Sequence, residues 1–188
     1  MTGSIKMRFR SAAMAVIAGI AVCSYAQDDI ASESYWALLK DDGQTWCAYA
    51  NANEFQADAA NPTPIESAKV TYSAGKLSEV THQIEPRSGD WVVIDEYTPL
   101  TDGATLKRTN LLMAAKLRVV QQAKILGGRV EPFEIASVHT LPGKPTHLPP
   151  DVDFPQVSAS ADPSTLAFVE LAGELRGRSL GKLCKKIG

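Results

Sequence analysis

From Glu66 to Thr98 the chain has few ways to fold other than as an antiparallel meander. Ala68–Ser73, Lys76–Glu85 and Asp90–Tyr97 are rich in β-branched and aromatic residues, and they are separated by Ala74-Gly75 and Pro86-Arg87-Ser88-Gly89. Strands joined by such short Gly- or Pro-containing turns pair with their sequence neighbours. Side chains alternate faces along a strand, so Val80, His82 and Ile84 share one side, as do Trp91, Val93, Asp95 and Tyr97. Val92 and Ile94 make the other face of that last segment apolar too, which suits a strand inside a sheet rather than at its edge.

The N-terminus constrains location. Lys6, Arg8 and Arg10 precede an apolar stretch from Ala12 to Val22, and Ser24-Tyr25-Ala26 supplies small residues before Gln27. A positive head, a short apolar middle and a small-residue exit describe a secretory signal peptide over 1–26, cleaved near Ala26. The apolar part is about a dozen residues, short of the ~20 needed to span a bilayer as a helix. The expectation is a periplasmic or secreted protein with no transmembrane segment in the mature chain. An uncleaved anchor is the lesser alternative. Lipidation at Cys23 is disfavoured by Val22, where that signal wants a small residue.

Export gives the remaining cysteines a meaning. Cys47 and Cys184 are an even number in an oxidising compartment, which predicts one disulfide closing a loop of more than 100 residues. Charge then excludes a partner class. Without residues 1–26 the chain has 16 basic against 21 acidic groups, a net of −5. That balance argues against nucleic acid, whose binding depends on neutralising phosphates.

Elsewhere the chain alternates turn signals with periodic segments, consistent with a single domain over 27–188. Tyr35–Lys40 and Thr45–Ala50 flank Asp41-Asp42-Gly43-Gln44 and predict a hairpin. Asn53 is a candidate cap for a short helix ending at Ala60. Asn61-Pro62-Thr63 has the outline of a glycosylation acceptor, but its proline disqualifies it. Asn110–Leu126 carries two patterns. Strong helix formers and a stripe of Leu112, Ala115, Val119, Ala123 and Leu126 favour helix. A period of two through Leu117, Val119, Ala123 and Ile125, followed by Gly127-Gly128, favours a hairpin. Helix is the reading preferred on propensity. Five prolines between Pro142 and Pro155 predict an extended surface loop. Asp162-Pro163 then caps a helix to Arg176 with an apolar stripe of Leu166, Val169, Ala172 and Leu175. The fold expected is α+β: an antiparallel meander sheet of five or six strands packed against one or two helices. An all-β barrel or sandwich is the alternative if 110–126 is extended.

Several motifs fail on context. Gly177-Arg178-Ser179-Leu180-Gly181 matches a nucleophile elbow, yet no acid or histidine follows it to activate the serine. Gly181-Lys182 lacks the first glycine and the Ser or Thr of a phosphate loop. His139, His147, Asp151 and Asp153 have no zinc-ligand spacing and sit on a loop, so a metal there is disfavoured and no cofactor is expected.

Three functional readings remain. The first is a small exported binding or interaction protein without catalysis. The second is a carrier of a hydrophobic ligand in a curved sheet, with Trp36, Trp46, Trp91 and His82 as lining residues. The third is a hydrolase using His82 and Asp95, placed diagonally on neighbouring strands. A basic tail with Arg176, Arg178, Lys182, Lys185 and Lys186 offers a surface for an anionic partner. It has no aromatic residue to stack on bases.

Overall fold

The computed structural model describes residues 32–60 and 65–187. The expected signal peptide, its expected cleavage point and Cys23 lie outside these residues.

Among the described residues ten antiparallel strands form one sheet. They are β1 (Ser32–Leu39), β2 (Thr45–Tyr49), β3 (Glu66–Ser73), β4 (Lys76–Ile84) and β5 (Trp91–Leu100), then β6 (Gly103–Leu112), β7 (Leu117–Leu126), β8 (Arg129–Val130), β9 (Glu134–Thr140) and β10 (Lys182–Lys186). The order across the sheet is β10-β2-β1-β3-β4-β5-β6-β7, with β8 and β9 both pairing with β7. The sheet does not close into a barrel. Two α-helices among the described residues accompany it, α1 (Ala52–Ala59) and α2 (Ala167–Arg176).

The meander is β3 to β5, and it continues through β6 and β7. Its first turn places Ala74 and Gly75 at φ 49° and 79°. This left-handed pair matches the twist of the flanking strands, and glycine takes it without steric cost. Gly103 is needed for a different reason: a Cβ there would collide with the carbonyl oxygen of Ile125 across the β6–β7 ladder.

The segment 110–126 corrects the helical expectation. Leu111 and Leu112 end β6, Met113 to Lys116 form the turn, and β7 starts at Leu117. Lys116 takes φ 53°, and its N–H bonds to the Met113 carbonyl at 3.1 Å. Ten register pairs hold β6 to β7, so non-local pairing overrides the helix propensity of Leu-Leu-Met-Ala-Ala-Lys. The strand count rises from the expected five or six to ten for the same reason, together with β10.

That tenth strand is the second correction. The residues expected as a basic tail form an edge strand: Lys182–Lys186 pair with β2, with Cys184 opposite Cys47. The two cysteines form the predicted disulfide, S–S 2.05 Å. The expected first hairpin is β1–β2, with Asp42 accepting from the Thr45 and Gln44 amides. Helix α1 is capped by Asn51, whose side chain accepts from the Asn53 amide, two residues before the residue expected to cap it. A 3-10 turn (Pro163–Thr165) capped by Asp162 leads into α2.

Register assigns each face. On the inner face, α2 buries Phe168, Val169, Leu171, Ala172 and Leu175 in a cluster that runs from Ala37 and Ala48 through Val70, Val80 and Tyr97 to Ile125. Farther along this face, Leu112, Leu117 and Val119 are covered by Leu148, Val152 and Phe154. The proline segment is extended, as expected, and its prolines 142, 145, 149 and 150 are exposed. Together with the residues that follow, through Ser160, it is also a strap whose apolar side chains complete the core. On the outer face, α1 covers Leu38, Cys47 and Tyr49 with Phe55 and Ala59.

Candidate functional site

A row of polar side chains crosses the inner face between its two apolar clusters. The register sets His82 opposite Asp95, Asp95 opposite Arg108, and Arg108 opposite Gln121. Asp95 is 1% exposed and Arg108 6%. Arg108 donates from Nε to Asp95 Oδ1 and from Nη2 to Oδ2, both at 2.7 Å. Its Nη1 donates to the Val157 carbonyl of the strap at 2.7 Å. Phe133 stacks on the guanidinium at 4.8 Å. The Tyr97 hydroxyl receives the Ser160 amide at 3.1 Å. Burial, and then the neighbouring Asp95 charge, pushes the Tyr97 phenol up to about 12. Two residues on from Arg108, at the next position of the same face, Asn110 Nδ2 donates to Gln121 Oε1 at 2.8 Å. Among the described residues every buried side-chain nitrogen or oxygen has a partner. A fully satisfied buried network of this kind fixes geometry.

His82 and Asp95 therefore face each other directly rather than diagonally, and each is engaged elsewhere. His82 Nε2 bonds to Glu66 Oε2 at 2.9 Å, and its ring packs 4.9 Å from Phe168 and 6.2 Å from Trp46. Both Asp95 oxygens accept from Arg108.

The three tryptophans do not gather. Trp46 lies on the inner face under α2, 4.9 Å from Phe168. Trp91 is on the same face at the end of β5, beside Val152 and Phe154. Register puts Trp36 on the outer face, opposite Tyr49 and Lys69.

The basic residues expected to meet an anionic partner are mostly paired within the chain. Arg176 meets Glu33 (2.8 Å), Arg178 and Lys185 meet Glu174 (3.6 and 2.9 Å), and Lys182 meets Asp58 (2.5 Å). Lys186 makes no ion pair among the described residues. Asp58 Oδ2 also receives the Tyr49 hydroxyl (2.6 Å) and Lys40 Nζ (3.2 Å). Lys182, then Tyr49 and Lys40, hold the Asp58 carboxyl far below the usual carboxylate range. Asp58 ties α1 to β2, to β10 and to Lys40 just after β1. Among the described residues no group of three His, Cys, Asp or Glu side chains is placed to hold a metal, and no helix is long and apolar enough to cross a membrane.

The outer face carries an opening that the sequence reading did not single out. A groove of about 620 Å³ crosses β4 to β7 and is walled by Glu131, Pro132 and Glu134. Its floor holds Thr98, Thr105 and Gln122, with Glu79 at the β4 side. Lys107 pairs with Glu96 at 2.6 Å, and Lys124 lies beside Glu131. Alternation was the available signal: these residues are the outward, polar partners of the apolar inner set. The same period puts Arg108 and Asn110 on the inner side with Leu106 and Leu112, which marks them as buried polar residues needing partners.

What the fold defines is a class: an open, mainly antiparallel sheet with a helix on each face. No family model matches the chain, and it matches no curated protein and no solved structure.

Proposed function

We propose that this is a small exported binding protein without catalytic chemistry, and that its ligand sits in the groove across the outer face. The single observation that carries the proposal is the groove itself: about 620 Å³, with hydroxyl, amide, carboxylate and ammonium groups on a sheet floor. That volume lies within the range of ligand sites. Its lining of both signs suits a short ligand bearing both charges, such as a zwitterionic peptide. The Cys47–Cys184 bridge fits an oxidising compartment. The acid–base candidates are held by other groups. Hydrolysis would require His82 to leave Glu66 and Asp95 to leave Arg108, breaking a buried pair at large cost.

The test is amide NMR of the protein purified after export, titrated with tripeptides carrying one lysine and one glutamate. Saturable shifts at Thr98, Thr105, Gln122 and Lys124 are expected, with the peptides recovered intact. Shifts confined to residues outside the groove, no saturable shift at all, or cleaved peptides would overturn the proposal.

The carrier is the second reading, favoured by Trp46 and Trp91 sharing the inner face. It requires the strap to lift, because Leu148, Val152 and Phe154 already occupy the apolar floor there.

A further inference from the structure

Trp91 borders a second opening, on the other side of the sheet from the outer groove. It measures about 370 Å³ and lies between the ends of β5 and β6, the Ala114-Ala115 turn and the strap. Its walls are Trp91, Leu112, Val152 and Phe154. Around them stand three carboxylates, Asp90, Asp151 and Asp153, and no basic side chain lines the cleft. None of the three aspartates joins an ion pair among the described residues, and they do not converge as a metal site.

We propose that this cleft binds a small organic cation with an apolar body. The two halves of the lining ask for the two halves of such a ligand. The apolar walls gain from covering a ring or a branched alkyl group, and an indole attracts a positive charge placed over it. The carboxylates add attraction for that charge and repel an anion. A neutral apolar molecule uses only the walls, and an inorganic cation only the rim. The volume is near the lower end of the range for ligand sites, which limits the body to about one ring. The site is separate from the outer groove, so either can fail without the other.

Phenethylammonium, uncharged 2-phenylethanol and anionic phenylacetate share one ring and differ in charge. Titration of each, followed through the Trp91 indole N–H resonance, separates the two contributions. Phenethylammonium should bind saturably and about tenfold more tightly than 2-phenylethanol, with phenylacetate weakest. The double variant Asp151→Asn/Asp153→Asn changes two exposed positions and should keep the fold. It should erase most of the preference for phenethylammonium while leaving 2-phenylethanol unchanged. Trp91→Leu should weaken both. Equal affinity for the three probes, a preference that survives the aspartate changes, or no saturable shift at Trp91 would each overturn the proposal.

Discussion

Arg108 grips Asp95 from the directly opposite position on the neighbouring strand, through two parallel hydrogen bonds of 2.7 Å, and holds the strap by Val157 with its remaining nitrogen. A bidentate pair of this kind is geometrically specific, and removing one member strands a buried charge. Asp95→Ala or Arg108→Ala should cost about 3–5 kcal/mol in urea unfolding. Asp95→Leu with Arg108→Met should cost less than either single change, because no charge is left unpaired. A double variant worse than both singles would show that the pair does more than satisfy itself.

The disulfide fastens an edge strand. Cys47 and Cys184 are 137 residues apart, and loop-entropy reasoning gives a closure of that size about 4–5 kcal/mol. Cys47→Ser/Cys184→Ser should lose a stability of this order, with β10 amides exchanging fastest. Non-reducing and reducing gels should show a mobility shift in the native protein. Identical mobility would remove the bridge.

Stability should fall at both extremes of pH, for different groups. The folded Asp58 carboxyl is depressed, so its contribution is complete above the unfolded value of about 3.9 and is lost as pH falls below it. Asp58 is about one-third exposed, so solvent keeps the effect modest. Asp58→Asn should flatten the acid limb of the stability profile. Tyr97 behaves oppositely. Its phenol is raised from 10 to about 12, so its contribution is complete below pH 10 and is lost as pH climbs toward 12. Absorbance titration of Tyr97→Phe against the parent should show one fewer late-ionising phenol.

Gly103→Ala tests the β6–β7 register. The added methyl meets the Ile125 carbonyl, and backbone on both sides must move. A loss of about 1–3 kcal/mol is expected, the scale of overpacking a filled site. An unchanged melting temperature would mean the ladder is looser here than described.

The sequence made the meander, the first hairpin, both helices and the disulfide legible, because each rests on local turn chemistry, caps or cysteine arithmetic. It misled at Leu111–Leu117, where helix formers occupy two strand ends and a turn. Propensity is a weak prior against a ladder of ten register pairs. The tail misled similarly: Lys182–Lys186 looks soluble, and lysines on an edge strand serve to keep that edge unpaired with other chains. His82 and Asp95 were legible as residues on one face but not as engaged ones, since Glu66 and Arg108 reach them only after long-range pairing. The outer groove depends on how the 131–134 segment runs along the edge of β7, with the Glu131 amide on the Lys124 carbonyl and Glu134 opposite Gln122, which no local pattern encodes.

The centre of the inner face, from Val80 through Leu106 to Val119, is filled by the chain itself, which leaves the outer groove and the cleft beside Trp91 as the places for ligands. Methyl NMR of Ile-, Leu- and Val-labelled protein titrated with palmitate addresses this directly. The account predicts unmoved methyl resonances at Val80, Val93, Leu106 and Val119. Saturable shifts at those methyls, with loss of the Leu148 and Val152 contacts, would contradict it and make the inner face a ligand chamber.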